Sequence, residues 1–277
     1  MNRQVFLYGL PTAALSAFGY ASIIEPRWLE ETQKTVVTGR NLRRPLRIAH
    51  IADFHASGLI PISFLEVAFQ RTLAMKPDLV CITGDFVTTG NDFDQPKYEA
   101  ALRMLSSKVP AYAVMGNHDG GIWAARSGWF SNHFYIQKMV TRGGVQVLHN
   151  DAAKLEVDGM PLWLVGVGDW WSEELRAPMA FEKVSDDGAP VIVMNHNPDG
   201  KDDCGLFHWD LMLCGHTHGG QVMIPFYGPP IVPVIDTRYA VGLNAYRDRW
   251  IHTTRGVGNV AGIRVNCRPE LSLLLVS

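Results

Sequence analysis

The chain has 277 residues, enough for one large domain or two small ones, and its 47% hydrophobic content is sufficient for a substantial core. Lys and Arg total 25 against 27 Asp and Glu, and a net charge of -2 lacks the basic footprint needed to grip a long nucleic-acid backbone, so nucleic acid is not expected as a partner. Cys81, Cys204, Cys214 and Cys267 form no C-x-x-C pair, which argues against a zinc knuckle or redox motif and for reduced thiols in or near the core.

In chain order, Val5 to Ile24 is an uncharged, mostly apolar stretch of about the ~20 residues that a membrane span needs. Residues 1–30 are therefore expected to be a signal-anchor or membrane-associated segment. Gly9, Pro11 and Gly19 weaken it as a helix, and the alternatives are an interfacial helix or a signal cleaved near Ser16 to Ala21. "NRQVFL" lacks the paired arginines of a twin-arginine export signal. Arg27, Lys34, Arg40, Arg43 and Arg44 follow the apolar stretch and Arg3 alone precedes it, a bias that predicts a catalytic domain on the cytoplasmic side. Solvation of a linker, or contact with anionic headgroups, explains the same charges. Residues 31–46 read as that basic linker, and residues 47–277 as one catalytic domain.

"RIAHIAD" (47–53) reads as a buried strand, and Pro61 to Lys76 as an amphipathic helix opened by a Ser63-x-x-Glu66 capping box. "DLVCITGD" (78–85) repeats the strand, a helix follows around Tyr98 to Ser106, and "AYAVMGNHD" (111–119) is a third strand. The alternation predicts α/β layers. From Val145 onward the chain turns richer in β, with "VQVLHN", "AKLEV", "LWLVGVG", "VIVMNH", "DLMLCGH", "RWIHTTRG" and "ELSLLLVS" as short strands.

Five of these strands end in residues of metal-ligand type. Asp53 and His55 follow "HIA", Asp85 follows "CITG", Asn117 and His118 follow "VMG", His196 follows "IVMN", and His216 and His218 follow "LCG". Strand ends in an α/β sheet converge on one rim, and residues one apart on an extended segment share a side, so these groups can meet in one volume. Carboxylates and imidazoles without thiolate suit Mn²⁺, Fe²⁺ or Zn²⁺. Seven ligands exceed the needs of one ion. Asp85, central in the set, is placed to bridge two, an arrangement suited to in-line displacement at phosphorus.

In these residues the sequence resembles the calcineurin-like metallophosphoesterases, whose pattern D-x-H, G-D, G-N-H-[DE], H and G-H-x-H stands here as "DFH", "GD", "GNHD", "NH" and "GHTH". The resemblance implies a four-layer α/β/β/α sandwich of two mixed sheets. It also implies two divalent ions, Mn²⁺ first, one held by Asp53, His55, Asp85 and His218 and the other by Asp85, Asn117, His196 and His216. A hydroxide bridging the ions would attack phosphorus, with His118 stabilising charge or protonating the leaving oxygen. The N-terminal segment with "IEPRWLE", together with "HNPD", "GHTHGGQ" and "TTRGVG…RVNCRPEL", is similar to a membrane-associated bacterial phosphodiesterase subgroup of the inner membrane. Some of its members hydrolyse the pyrophosphate of UDP-2,3-diacylglucosamine in lipid A synthesis. "GDFVTTG" lacks the arginine that phosphoprotein phosphatases carry after G-D, which disfavours phosphoprotein.

Outside the motifs, His50, His133, His149, His208 and His252 read as structural, and Asp119 as a group orienting its neighbours or a surface residue. Asp169 and Arg255 are expected as substrate contacts, the latter because a guanidinium matches phosphate oxygens, against a salt-bridge reading. Trp170 and Trp171 line the cleft or pack at its rim, and Pro225 to Pro233 is expected as a rim loop shaping access. The competing functions are a non-catalytic binding module that kept the fold, and a nuclease or phosphomonoesterase of the same superfamily.

Overall fold

The computed structural model describes residues 15–90 and 92–277. The first half of the apolar stretch from Val5 to Ile24, residues 5–14, therefore lies outside the described residues. Among those described, no helix is long and apolar enough to cross a membrane. The described end of the stretch is helical, with Leu15, Phe18, Ile23 and Ile24 exposed. It is pinned to the domain where Ala21 O accepts the Arg264 N–H at 2.9 Å and the Glu25 carboxylate accepts the Cys267 N–H at 2.6 Å.

Two six-stranded mixed sheets face each other. In chain order the first takes β1 (Glu30–Val36), β2 (Leu46–Ile51), β3 (Leu79–Thr83), β4 (Ala111–Val114) and β5 (Gln146–Val147). The second takes β6 (Asp151–Val157), β7 (Met160–Gly166), β8 (Val191–Met194), β9 (Leu211–Cys214), β10 (Gly242–Tyr246) and β11 (Arg249–Thr253). The last strand, β12 (Glu270–Val276), returns to the first sheet, between β1 and β2. Strands β2 to β5 run parallel, as do β7, β8, β9 and β11. The period of two along each strand sorts its side chains between layers. Ile48, Leu79, Leu164, Ile192 and Leu213 fill the space between the sheets. The intervening Ala49, Val80 and Ile82 face the helices α1 (Ile62–Ala74) and α2 (Gln95–Ser106), through Leu65, Phe69 and Leu102. On the far face of the second sheet, Val191, Val193 and Met212 pack under Ala177, Phe181 and Trp209.

Two expectations need correction. The segment expected as a basic linker supplies β1, an edge strand paired in parallel with β12 from Glu30↔Glu270 to Val36↔Val276. Its burial is confined almost to Val36, so "EETQKTV" carries too little apolar alternation to read as a strand. The first helix starts at Ile62 behind an extended Pro61 and has no side-chain cap, so Ser63 lies inside the first turn and forms no capping box. The second helix is capped as such helices usually are, the Asp94 carboxylate accepting the Lys97 N–H at 3.0 Å.

Candidate metal centre and catalytic cavity

The C-terminal ends of β2, β3 and β4, adjacent in one sheet, and of β8 and β9, adjacent in the other, open on one rim. The chain turns sharply there. Asp53, His55, Asp85, His216 and His218 have φ of 55°, 48°, 56°, 69° and 51°, a left-handed backbone that is costly for non-glycine residues and is typical of functional sites. Gly116 is needed for space: a Cβ there would lie 2.2 Å from Asp85 Oδ1. At Gly215 it would lie 2.8 Å from Asp53 Oδ2.

All seven expected ligands meet, and all are buried. His55 Nε2 lies 2.9 Å from His218 Nε2, and His218 Nε2 lies 4.0 Å from Asp53 Oδ1. Asp85 Oδ2 stands between two imidazoles, 3.4 Å from His55 Nε2 and 3.3 Å from His196 Nε2. Asn117 Oδ1 is 3.1 Å from His196 Nε2. Potential ligand atoms fall within 4.8 Å of one another in three overlapping sets: Asp53, His55 and His218; His55, Asp85 and His118; and Asp85, His196 and His216.

Hydrogen bonds from the remaining ring nitrogens fix which nitrogen faces the cluster. His196 Nδ1–H donates to Thr83 O at 2.7 Å and His216 Nε2–H to Pro233 O at 3.1 Å, leaving His196 Nε2 and His216 Nδ1 as lone-pair donors. His118 Nδ1–H donates to Thr88 O at 2.8 Å, so Nε2 is its free nitrogen. Burial holds His55 and His216 down at about 3, and both are neutral at neutral pH. Burial alone would raise the Asp85 carboxyl, but His196 and His118 outweigh it and keep Asp85 ionised. His196 is the counterpart: burial disfavours its charge, yet Asp85 lifts it to about 10. Without a cation, Asp85 therefore keeps a proton on His196 Nε2, the place an ion would take when that nitrogen ligates.

Beneath the ligands, Asp119 organises the backbone. Its Oδ2 accepts the N–H groups of Asp85 at 2.9 Å and Gly116 at 2.8 Å, and its Oδ1 those of Phe86 at 2.7 Å and Val87 at 3.4 Å. A cavity of about 300 Å³ opens above, floored by Asp85, Asn117, His118, His216 and His218 and walled by Trp171, Ile231, Pro233 and Val260. Ile231 and Pro233 belong to the expected rim loop, which also exposes Phe226 and Tyr227, and Ile235 is exposed just beyond it.

Two expected substrate contacts are not at the cavity. The Arg255 guanidinium is taken up by Glu270 at 3.1 Å and Glu30 at 2.8 Å, a tie between the turn after β11 and strand β1. Asp169 is buried and fixes a turn, its Oδ2 accepting the Ser172 N–H at 2.7 Å; burial raises its carboxyl to about 6. The residue that this turn delivers to the wall is Trp171, edge-on to His216 at 4.3 Å.

Sequence reasoning missed three groups. Trp123 and Trp129 flank the His118 ring at 4.6 and 5.1 Å, and two tryptophans within a dozen residues of "GNHD" were the available signal. Arg264, fully buried, donates to the carbonyls of Arg255, Gly258 and Cys267, and so holds the closing loop against His218. As expected, His50 and His252 are structural: buried, Nδ1 to Nδ1 at 2.8 Å, with His50 also bonded to Thr83.

Comparison with known proteins agrees with this arrangement. A family profile described as "Calcineurin-like phosphoesterase" matches residues 46–220. The chain is 38% identical over 276 residues to "Phosphodiesterase YaeI" of Escherichia coli (strain K12), covering 99% of this chain and 98% of that protein. It is 27% identical over 285 residues to "Uncharacterized metallophosphoesterase YkuE" of Bacillus subtilis (strain 168), with 99% and 96% covered. It is 23% identical over 322 residues to "UDP-2,3-diacylglucosamine pyrophosphatase LpxG" of Chlamydia trachomatis, with 95% and 96% covered.

Proposed function

The chain belongs to the calcineurin-like phosphoesterase family, and on that premise we propose that it is a two-metal phosphodiesterase or pyrophosphatase acting on an amphipathic substrate at the bacterial inner membrane. The observation that carries this reading is the Asp85 carboxylate, whose Oδ2 lies 3.4 Å from one ligand set at His55 and 3.3 Å from the other at His196. The residues fit divalent ions. Asp53 Oδ2 and His55 Nδ1 are buried without a hydrogen-bond partner, and two neutral imidazoles point Nε2 at Nε2 across 2.9 Å. A cation would resolve that juxtaposition.

Asp53, His55, Asp85 and His218 would hold one ion, and Asp85, Asn117, His196 and His216 the other. The all-O/N donor set suits Mn²⁺, with Fe²⁺ and Zn²⁺ as alternatives. Bound divalent ions supply charge neutralisation at the phosphoryl oxygens and activation of the attacking water. The chain supplies the rest. Thr88 O accepts the His118 Nδ1–H, so that the imidazolium form presents Nε2–H as the proton for the leaving oxygen, and Trp123 and Trp129 fix the ring in place. Asp119 sets the backbone from which Asp85 and Asn117 project.

The apolar wall of the cavity and the exposed Phe226, Tyr227, Ile231 and Ile235 support a substrate with acyl chains beside its phosphates. UDP-2,3-diacylglucosamine, named for LpxG, is of that kind. In this reading residues 5–24 keep the domain at the membrane on its cytoplasmic side. The test is Mn²⁺-loaded full-length protein assayed side by side on a bis-aryl phosphodiester, UDP-2,3-diacylglucosamine, cyclic nucleotides and phosphomonoesters. Metal-dependent cleavage of the first two is expected. Cleavage of phosphomonoesters alone would overturn the assignment.

A further inference from the structure

Beside the catalytic cavity the chain gathers a second set of metal-type side chains. His133 caps α4 (Phe134–Arg142; the short α3, Ile122–Arg126, precedes it), His149 lies between β5 and β6, and Glu174 follows β7. His133 Nδ1 is 3.1 Å and His149 Nε2 3.9 Å from the same carboxylate oxygen, Glu174 Oε2. One ligand atom from each residue lies within 4.8 Å of the other two. The rings stand 4.2 Å apart.

An ordinary ion-pair triad accounts poorly for this set. The His133 Nδ1 contact with Glu174 lacks hydrogen-bond geometry, although against burial the two imidazoles hold the Glu174 carboxyl below its ordinary value; His133 Nδ1, the nitrogen that faces the carboxylate, is buried without a hydrogen-bond partner. His133 itself is 7% exposed. Donors around a tetrahedral Zn²⁺, at about 2.0–2.2 Å from the ion, sit roughly 3.3 Å from one another, and the two contacts with Glu174 Oε2, at 3.1 and 3.9 Å, bracket that spacing. The site's surroundings are rigid: Asn150 Nδ2 donates to Glu174 O at 2.8 Å, and a Cβ on Gly120 would lie 2.5 Å from His133 N.

We propose that His133, His149 and Glu174 form a third divalent-cation site, its donor set suited to Zn²⁺, which ties together two loops, one packed on His118 and the other supplying Trp171 to the cavity wall. One loop, between Asp119 and His133, carries Trp123 and Trp129 against His118. The other, between Asp169 and Glu174, carries Trp171 against His216, and Trp171 meets Trp123 at 5.8 Å. An ion bound here joins the base of one loop to the end of the other. It touches neither the reacting atoms nor the seven ligands, and its role is to position the wall. Two imidazoles and one carboxylate leave a fourth position for water.

The test uses full-length protein loaded with Zn²⁺ alone. Crystals measured at the zinc absorption edge should show an anomalous peak enclosed by His133, His149 and Glu174, separate from any peaks at Asp85. In solution, H149A and E174Q should each bind one zinc ion fewer than the parent and show a smaller zinc-dependent rise in Tm, keeping the part that comes from ions at Asp85. Peaks beside Asp85 alone, or unchanged zinc content in both variants, would overturn the third site and leave the catalytic reading intact. Should either variant fail to fold, the diffraction experiment on the parent chain decides.

Discussion

Replacing Asp119 by Asn should damage the protein more than its distance from the substrate suggests. The carboxylate accepts four backbone N–H groups, two on each oxygen, from the turns that carry Asp85 and Asn117. An amide keeps one oxygen and turns an NH₂ group toward the other two donors. Two bonds to a charged acceptor are lost, each worth about 1.5–3 kcal/mol, so D119N should be destabilised by roughly 3–6 kcal/mol. Burial and the Asp85 charge push the Asp119 carboxyl upward, but every neighbour at 2.7–2.9 Å is a donor with no place for a carboxyl proton. The carboxylate is therefore the form that these turns require. Urea denaturation of metal-free protein reads the stability, and equilibrium dialysis with Mn²⁺ reads the expected drop in occupancy. A D119N protein within about 1 kcal/mol of the parent, with unchanged metal affinity, would show that Asp119 does not set the turns, because a surface substitution costs no more than that.

Further outcomes follow from the same geometry. H118A should lower kcat by about 10²–10⁴-fold with metal content unchanged, and the loss should be smallest for leaving groups that need no proton; equal losses for all leaving groups would contradict proton donation. G116A, whose Cβ would meet Asp85 Oδ1 at 2.2 Å, should abolish metal-dependent turnover while circular dichroism shows a folded chain. Glu270 tests the Arg255 tie. Burial opposes its ionisation, but Arg255, His252 and Thr32 hold it at about 2, below the ordinary 4.5. A depressed carboxyl stabilises the fold fully above its unfolded value and loses that contribution as pH falls from about 4.5 towards 2, on the order of 3 kcal/mol. The gap in stability between the parent and E270Q should narrow over that window, and a gap independent of pH would refute the tie.

The candidate metal centre was legible because its expected ligands fall at strand ends and parallel strands deliver their ends to one rim. No single Asp or His carried that signal; the register of "DFH", "GD", "GNHD", "NH" and "GHTH" with the apolar strands did. What the sequence hid was set by partners that only the fold brings into place. Arg255 looked free for phosphate because Glu30 lies 225 residues away, and Glu270, fifteen residues on, meets it only once its strand enters the first sheet between β1 and β2. Strand β1 was hidden because an edge strand, paired on one side only, needs little apolar alternation. Asp169 was read as a contact although its partner, the Ser172 N–H, is backbone, which local side-chain chemistry does not reveal. The meeting of His133 and His149 at one carboxylate was hidden as well, because Glu174 joins them only in the fold.

Whether two bound ions share the Asp85 carboxylate is read out by anomalous diffraction from crystals of the Mn²⁺-loaded chain. Two peaks are expected roughly 3.5–4 Å apart, one on each side of Asp85, the first among Asp53, His55 and His218 and the second among Asn117, His196 and His216. A single peak at the rim, or two peaks with Asp85 in contact with only one, would contradict that sharing.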